Sequence, residues 1–497
     1  MSDTDKHTDG ESASLLARRE SLFWRVHFWA AVIASPFALI AVLTGILYVF
    51  TPQIEAQLYG ALEQVAPAGT LRPLDDAVVV ASKAAPAGWV LQSVTPAYHV
   101  GETVKVSFAE ARKKSGTQSA AGASEHDGHN HGSASSAGPA GPVVSAVSTT
   151  SSVASIPSAL AASLTTSSTQ PRFEGASQPI VIFVNPHSAE VVGSLASAER
   201  FSNWAKKLHS RVLQNDNWRW MIELAASGLM VMLLTGIYLW WPRGTQKALP
   251  QAGVKGRGFW KQWHSFVGVA LAVMSFTILT TGLTWSKHAG DQVRALRDYI
   301  RQAPPQVPPS LKSTVQAGVA RLTWQAAWEA TRSQVPDVAL QLTPPRGPEG
   351  TWRAASADRS QPQKRFDLVL DAYSGQPIYY SGWDEQTAFA KATAIGIPFH
   401  RGEFGWWNQA LLLLFGVGIL FSLVSGWAMF FKRQRTGLGG LPKLLPGAWK
   451  SASIITWATT VFLCVAMPLL ALSAVLVVIA ELAIHRPWRK QHLNTNS

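Results

Sequence analysis

A chain of 497 residues that is 47% hydrophobic, only 15% charged and carries 21 tryptophans is too apolar for an ordinary soluble protein. Its formal net charge of +13 is concentrated beside apolar runs, so it reads as membrane topology and not as nucleic-acid affinity. The single cysteine, Cys464, excludes an internal disulfide, thiolate zinc sites, four-cysteine iron–sulfur clusters and covalent haem attachment through C-x-x-C-H.

Taken in chain order, residues 1–25 form a tail in which Arg18, Arg19 and Arg25 precede the first apolar run. That run, 26–50, is too long and starts too late for a cleavable signal peptide. Four more segments reach the length of about 18 apolar residues that a spanning helix needs: 219–241, 263–285, 408–431 and 453–481. The last contains Pro468 and ends in Glu481 and His485, so it is expected to be either a kinked helix or an incomplete crossing. The loops 242–262 and 432–452 are rich in Lys and Arg without acids, which puts them and the N-terminus in the cytoplasm. Segments 51–218 and 286–407 then lie outside. The tail 482–497 resists this scheme, because a complete fifth crossing would carry "HRPWRK" outside.

Both outside segments read as small α+β units. In the first, helical "LDDAVVVASKA" precedes strand-like "GWVLQSVTP", "ETVKVSF" and "PIVIFVNPHSAEVVG"; the second repeats the order with "TWQAAWEATRSQ", "VALQLTPP", "TWRAAS" and "RFDLVLDAYSGQPIYY". The Ser/Ala/Gly/Thr-rich stretch 111–170 has too little apolar surface to order itself and is expected to be a disordered insertion. Its His126, His129 and His131 form a weak transition-metal motif without an expected catalytic role.

Four stretches in order, "RVHFWAAVIASPFALIAVLTGILYVF", "LHSRVLQNDNWRWMIELAASGLMVMLLTGIYLWWPR", "KQWHSFVGVALAVMSFTILTTGLTW" and "PFHRGEFGWWNQALLLLFGVGILFSLVSGWAMFFKR", resemble the PepSY-associated transmembrane family, which includes iron-regulated inner-membrane proteins and ferric-siderophore reductases. The resemblance covers most of 25–433 apart from the insertion, and the hairpins of the outside units add to it. It implies an α-helical membrane protein of four to five transmembrane helices with two periplasmic α+β PepSY-like domains, set in a bacterial inner membrane. It further implies haem b and electron transfer to ferric chelates. No flavin or nicotinamide domain is fused to the chain, and the insertion is unusually long.

The histidines support that expectation. Bis-histidine haem ligation needs two neutral imidazoles at one membrane depth. Thr44 of a Thr-Gly pair follows His27 by 17 positions, and Thr281 of another follows His264 by 17, so these two histidines share a depth on the cytoplasmic side. Ala30, Ala31, Ala34, Ala38 and Gly268 leave room for a flat ring, unless the small residues serve only close helix packing. His209 and His400 precede the second and fourth spans by matching distances and are expected at or just above the outer surface, as an outer haem pair or as helix-start caps. Arg401 is a candidate for the haem edge or propionates, and His288 is a rival outer ligand. Glu223 reads as an orienting partner for a ligand or a quinol proton acceptor, against a simple i,i+4 pair with Arg219.

The expected function is therefore a transmembrane oxidoreductase with two bis-His haems b. Electrons enter from a cytoplasmic reductase or a quinol in the membrane lipid and leave to a periplasmic acceptor, which the resemblance makes a ferric siderophore or another ferric chelate. The alternatives are a siderophore or peptide permease, or a PepSY binding module without redox activity.

Overall fold

The computed structural model describes residues 3–111, 179–241, 249–433 and 441–485. Beyond Ala111, the insertion read at 111–170 lies outside the described residues, His126, His129 and His131 included. Among the described residues, three helices are long and apolar enough to cross a membrane, and a bent pair supplies a fourth crossing if it counts as one.

The first is α1 (Asp3–Val49). Its N-terminal part contains strong helix formers, "LLARRE", and runs without a break into the apolar segment, so His27 lies inside a continuous helix and not at its front edge. There follow α2 (Thr51–Glu63), α3 (Leu74–Ala84), β1 (Trp89–Thr95), β2 (Val104–Glu110), β3 (Ile180–Val184), β4 (Val191–Ala196) and α4 (Phe201–Arg211). The second crossing is α5 (Trp220–Trp240). Gly228 of α5 lies so close to Ala34 of α1 that a Cβ would collide, and Ala225 packs beside Ala38. Ala34 and Ala38 are thus used up in the α1–α5 crossing, where small residues let two apolar helices approach.

The third apolar segment divides into α6 (Gly256–Ala270) and α7 (Ala272–Leu283), bent by 61°. The bend falls at Leu271, whose side chain fills the place a Cβ on Gly418 would need. Then come α8 (His288–Tyr299), α9 (Trp324–Gln334), β5 (Leu340–Thr343), β6 (Trp352–Ser356), β7 (Asp367–Leu370), β8 (Pro377–Ser381) and α10 (Ala388–Arg401). The next crossing, α11 (Trp406–Phe431), contains Gly418.

The fifth apolar segment consists of two helices, α12 (Ile454–Ala466) and α13 (Pro468–His485), broken at Met467 because Pro468 disfavours helical backbone in the residue before it. Both outer ends of this pair meet the same end of α1. Arg19 Nε donates to the Ser451 carbonyl just before α12 at 2.6 Å, and Arg25 pairs with Glu481 near the end of α13. Met467, at the break, packs with Leu283 and Ala289 toward the other end of the bundle. The segment is a hairpin that enters and returns.

The two α+β units, in 51–218 and 286–407, do not fold as separate sheets. Their eight strands join in one antiparallel sheet of order β4-β3-β2-β1-β5-β6-β7-β8, with Val94 of β1 opposite Leu342 of β5 at the seam. One apolar core runs through both halves, including Val106, Phe108 and Ile182 from the first and Phe366, Leu368 and Leu370 from the second, covered by Ala77 and Ala81 of α3 and Ala327 of α9. The two helix starts cap each other: the Asp75 carboxylate accepts from the amides of Trp324 (2.9 Å) and Gln325 (3.0 Å), while Gln325 Oε1 accepts from the Leu74 amide (2.9 Å).

Candidate functional site

Each of the four histidines singled out above rests on a hydroxyl–glycine pair of another helix. His27 Nδ1 lies 2.9 Å from Thr235 Oγ1, His264 Nδ1 2.9 Å from Ser425 Oγ, His209 Nδ1 3.1 Å from Thr44 Oγ1 and His400 Nδ1 3.1 Å from Thr281 Oγ1. The residue after each hydroxyl is a glycine, and a Cβ built there would come within 3.4 Å of His27 Cε1 at Gly236, 3.8 Å of His264 Cε1 at Gly426, 3.3 Å of His209 Cε1 at Gly45 and 3.1 Å of His400 Cε1 at Gly282. The hydroxyl supplies a polar partner and the glycine supplies room for the ring.

The hydrogen bonds also fix the tautomer. Each hydroxyl donates into its own helix, as serines and threonines in apolar helices do: Thr235 to the Val231 carbonyl (2.6 Å), Ser425 to Ser422 (3.0 Å), Thr44 to Ile40 (2.7 Å) and Thr281 to Thr277 (2.8 Å). With its proton so used, the hydroxyl oxygen accepts from the imidazole. For His400 the same ring nitrogen also lies 3.1 Å from the Ile278 carbonyl, three residues before the hydroxyl, and His27, His264 and His209 have backbone partners at the equivalent Met232, Ser422 and Ala41. A carbonyl only accepts, so Nδ1 carries the hydrogen and Nε2 keeps its lone pair. A neutral imidazole with a free Nε2 and a hydrogen-bonded Nδ1 is the form in which histidine binds a metal.

The four rings fall into two pairs. His27 and His264 face each other with ring centroids 6.4 Å apart and planes at 85°. Two metal–imidazole bonds of about 2 Å each, plus the two half-rings, fit that gap. A Cβ built on Gly268, one turn from His264, would meet nothing within 4 Å, so the space expected beside this helix is open. The second pair is His209 of α4 and His400 of α10, close enough for a charge on one to oppose a charge on the other. Burial pushes both down to about 4, with His209 adding to the effect at His400, so both are neutral at pH 7. Each lies on its own short helix, against the C-terminal part of α1 or α7, before the chain turns into the next apolar helix. All four rings keep part of their surface accessible although protein encloses them.

The other expected residues lie differently. Glu223 is fully buried and caps α8, accepting from the amides of His288 and Ala289 at 2.9 Å each, with His288 Nδ1 at 3.3 Å. It orients neither His209 nor His400. Arg219 donates instead to the Trp285 carbonyl at 2.9 Å. His288 faces Glu223 and is not a member of the outer pair. Arg401 is adjacent to His400 in sequence, but its guanidinium is held by Tyr48 Oη at 3.0 Å and by Glu403 at 3.0 Å. Arg359, which no sequence motif signals, is near enough to have its pKa lowered by burial first and by Arg401 second.

Fold and site together define a multi-pass helical membrane protein that carries an antiparallel sheet and two pairs of enclosed histidines. The PepSY-associated TM region family matches residues 24–433, most of the chain, and the protein belongs to that family. A search of curated proteins found no match.

Proposed function

We propose that this protein is a haem b electron carrier of a bacterial inner membrane, holding one haem between His27 and His264 and a second between His209 and His400. The observation that carries this reading is the fourfold repetition of one arrangement: a hydroxyl and a glycine from a neighbouring helix hold each imidazole by Nδ1 and leave Nε2 for a ligand. Thr44 and His27 lie on one helix 17 residues apart, about 25 Å along its axis, so the two pairs lie at well-separated depths. When bound, the haems supply one-electron transfer; the residues of the chain fix their depth, ligation and access.

In this reading the N-terminus and basic loops are cytoplasmic and the sheet is periplasmic, its two halves being PepSY-like units that have merged. Electrons from a quinol or a cytoplasmic reductase reach the inner pair and leave from the outer pair to a ferric siderophore or a similar chelate, which releases iron more readily as Fe(II). Arg401, with Tyr48 and Glu403, lies at the exit and helps shape the acceptor site.

The test is to reduce the purified protein chemically, add ferric siderophores without oxygen, and follow haem reoxidation together with capture of Fe(II) by a ferrous chelator. Prompt reoxidation with Fe(II) appearing is the expected result. Haems that stay reduced across a broad panel of ferric chelates overturn the substrate assignment.

A further inference from the structure

The rim beside His400 gathers guanidinium groups from two separate parts of the fold. Arg401, at the end of α10, is held by Tyr48 Oη at 3.0 Å and by Glu403 Oε1 at 3.0 Å, with its guanidinium over the Tyr48 ring. The other oxygen of Glu403 is buried without a hydrogen bond among the described residues, so the carboxylate does not bridge through it to a second guanidinium.

The loop between β6 and β7 brings two more cations from the sheet. Its turn, Pro362–Lys364, packs against α10, and Asp358 fixes the approach by accepting from the Ser360 amide and from Gln361 Nε2, both at 2.8 Å. Arg359 in this loop is crowded by protein yet open to solvent. Burial first and the charge of Arg401 second pull its pKa down, Glu403 and Tyr48 oppose them, and Arg365 adds to the lowering. Arg365 is bonded through its backbone amide to the Pro362 carbonyl, while its side chain makes no hydrogen bond or ion pair among the described residues.

Like charges gathered on one rim repel each other and create a positive potential that an anion relieves. The planar fork of arginine matches a carboxylate in geometry as well as in charge.

We infer that this rim binds an anionic ferric chelate that carries free carboxylates, gripped by Arg359 and Arg365 of the sheet and Arg401 of α10. The inference rests on the proposed function above and narrows its acceptor to one chemical class. A chelate built from three hydroxamates is neutral at the metal and gives the guanidiniums nothing to hold. A phospholipid headgroup commonly offers a single phosphate, whereas guanidiniums on both sides of the rim call for several anionic groups on one molecule. The sheet therefore contributes to selection, and charge is the property selected.

The experiment is calorimetric titration of the purified full-length protein with gallium(III) aerobactin, a citrate-based chelate with free carboxylates. Gallium(III) replaces iron so that binding is read without electron transfer. Saturable binding is expected, weakened roughly tenfold by Arg359→Gln and likewise by Arg365→Gln, each the loss of one charge-assisted contact. Arg359→Lys is expected to fall between the two, because it keeps the charge and loses the fork. Binding should weaken as salt is raised, and gallium(III) desferrioxamine B, which bears an ammonium and no carboxylate, should not compete. Absence of binding, equal binding of the two gallium complexes, affinity unchanged in both glutamine variants, or displacement by cardiolipin each overturns the assignment. The two readings fail separately. A protein that binds gallium(III) aerobactin through these arginines but never reduces a ferric chelate counts against electron transfer alone; one that reduces ferric chelates but does not bind this complex counts against the rim alone.

Discussion

His27 on α1 donates through Nδ1 to Thr235 Oγ1 on α5 at 2.9 Å, and that hydroxyl in turn donates a hydrogen bond to the Val231 carbonyl at 2.6 Å. The chain of two bonds ties the ring orientation to the backbone of the neighbouring helix. Thr235→Val keeps the shape and removes the acceptor, at a cost of about 1 kcal/mol. A hydrogen-bonded imidazole is the more basic ligand and favours Fe(III), so its loss is expected to raise the inner haem's reduction potential by roughly 40 mV, the one-electron equivalent of that energy. Thr235→Ser is expected to restore it. A redox titration in which Thr235→Val and the native protein coincide rules out this role.

At the outer pair the glycine is the sensitive element. A Cβ on Gly282 would lie 3.1 Å from His400 Cε1, and the branched side chain of Gly282→Val reaches further. The substitution is expected to displace His400 at a cost of about 1–3 kcal/mol and to remove the outer haem's spectral signal while the inner one stays. Loss of both signals together points to a general folding defect and not to a local seat.

The buried pair Arg25–Glu481 is expected to respond asymmetrically. Glu481→Leu alone leaves a guanidinium uncompensated and destabilises by about 3–5 kcal/mol, whereas Arg25→Met with Glu481→Leu recovers most of that. Thermal unfolding of the three proteins checks it; a double variant no more stable than the single one sinks the expectation.

The joined sheet makes a further prediction. Asp75 in the first half holds two amides at the start of α9 in the second, and Asp75→Ala is expected to cost about 1–2 kcal/mol, seen as a lower thermal midpoint. An unchanged midpoint means that the halves are held by the core alone.

The apolar helices long enough to cross a membrane and the order of helix and strands in both α+β units were legible in the sequence, because each rests on local pattern: apolar length or alternation. The Thr-Gly and Ser-Gly pairs were legible only as depth marks. Their use lies across helices, with Thr44 receiving His209 and Thr281 receiving His400, and spacing along one helix says nothing of which neighbour fills it. Glu223 shows the same limit. Its position inside an apolar run suggested a redox role, yet the amides it caps belong to a helix that starts at His288. The merging of two units into one sheet depends on contacts between distant parts of the chain, the Val94–Leu342 pairing, the shared core and the Asp75 and Gln325 caps, and the return of α13 depends on Arg19 and Arg25 reaching residues more than 400 positions away.

The central claim is tested most directly by counting haem. Full-length protein, purified from cells with ample haem supply, is extracted with acidified organic solvent, and the haem b released is quantified against protein. Two haems per chain are expected, with His27→Ala and His264→Ala each abolishing one and the same spectral component, and His209→Ala and His400→Ala the other. Protein reproducibly free of haem, or with a haem content unchanged by all four substitutions, contradicts it.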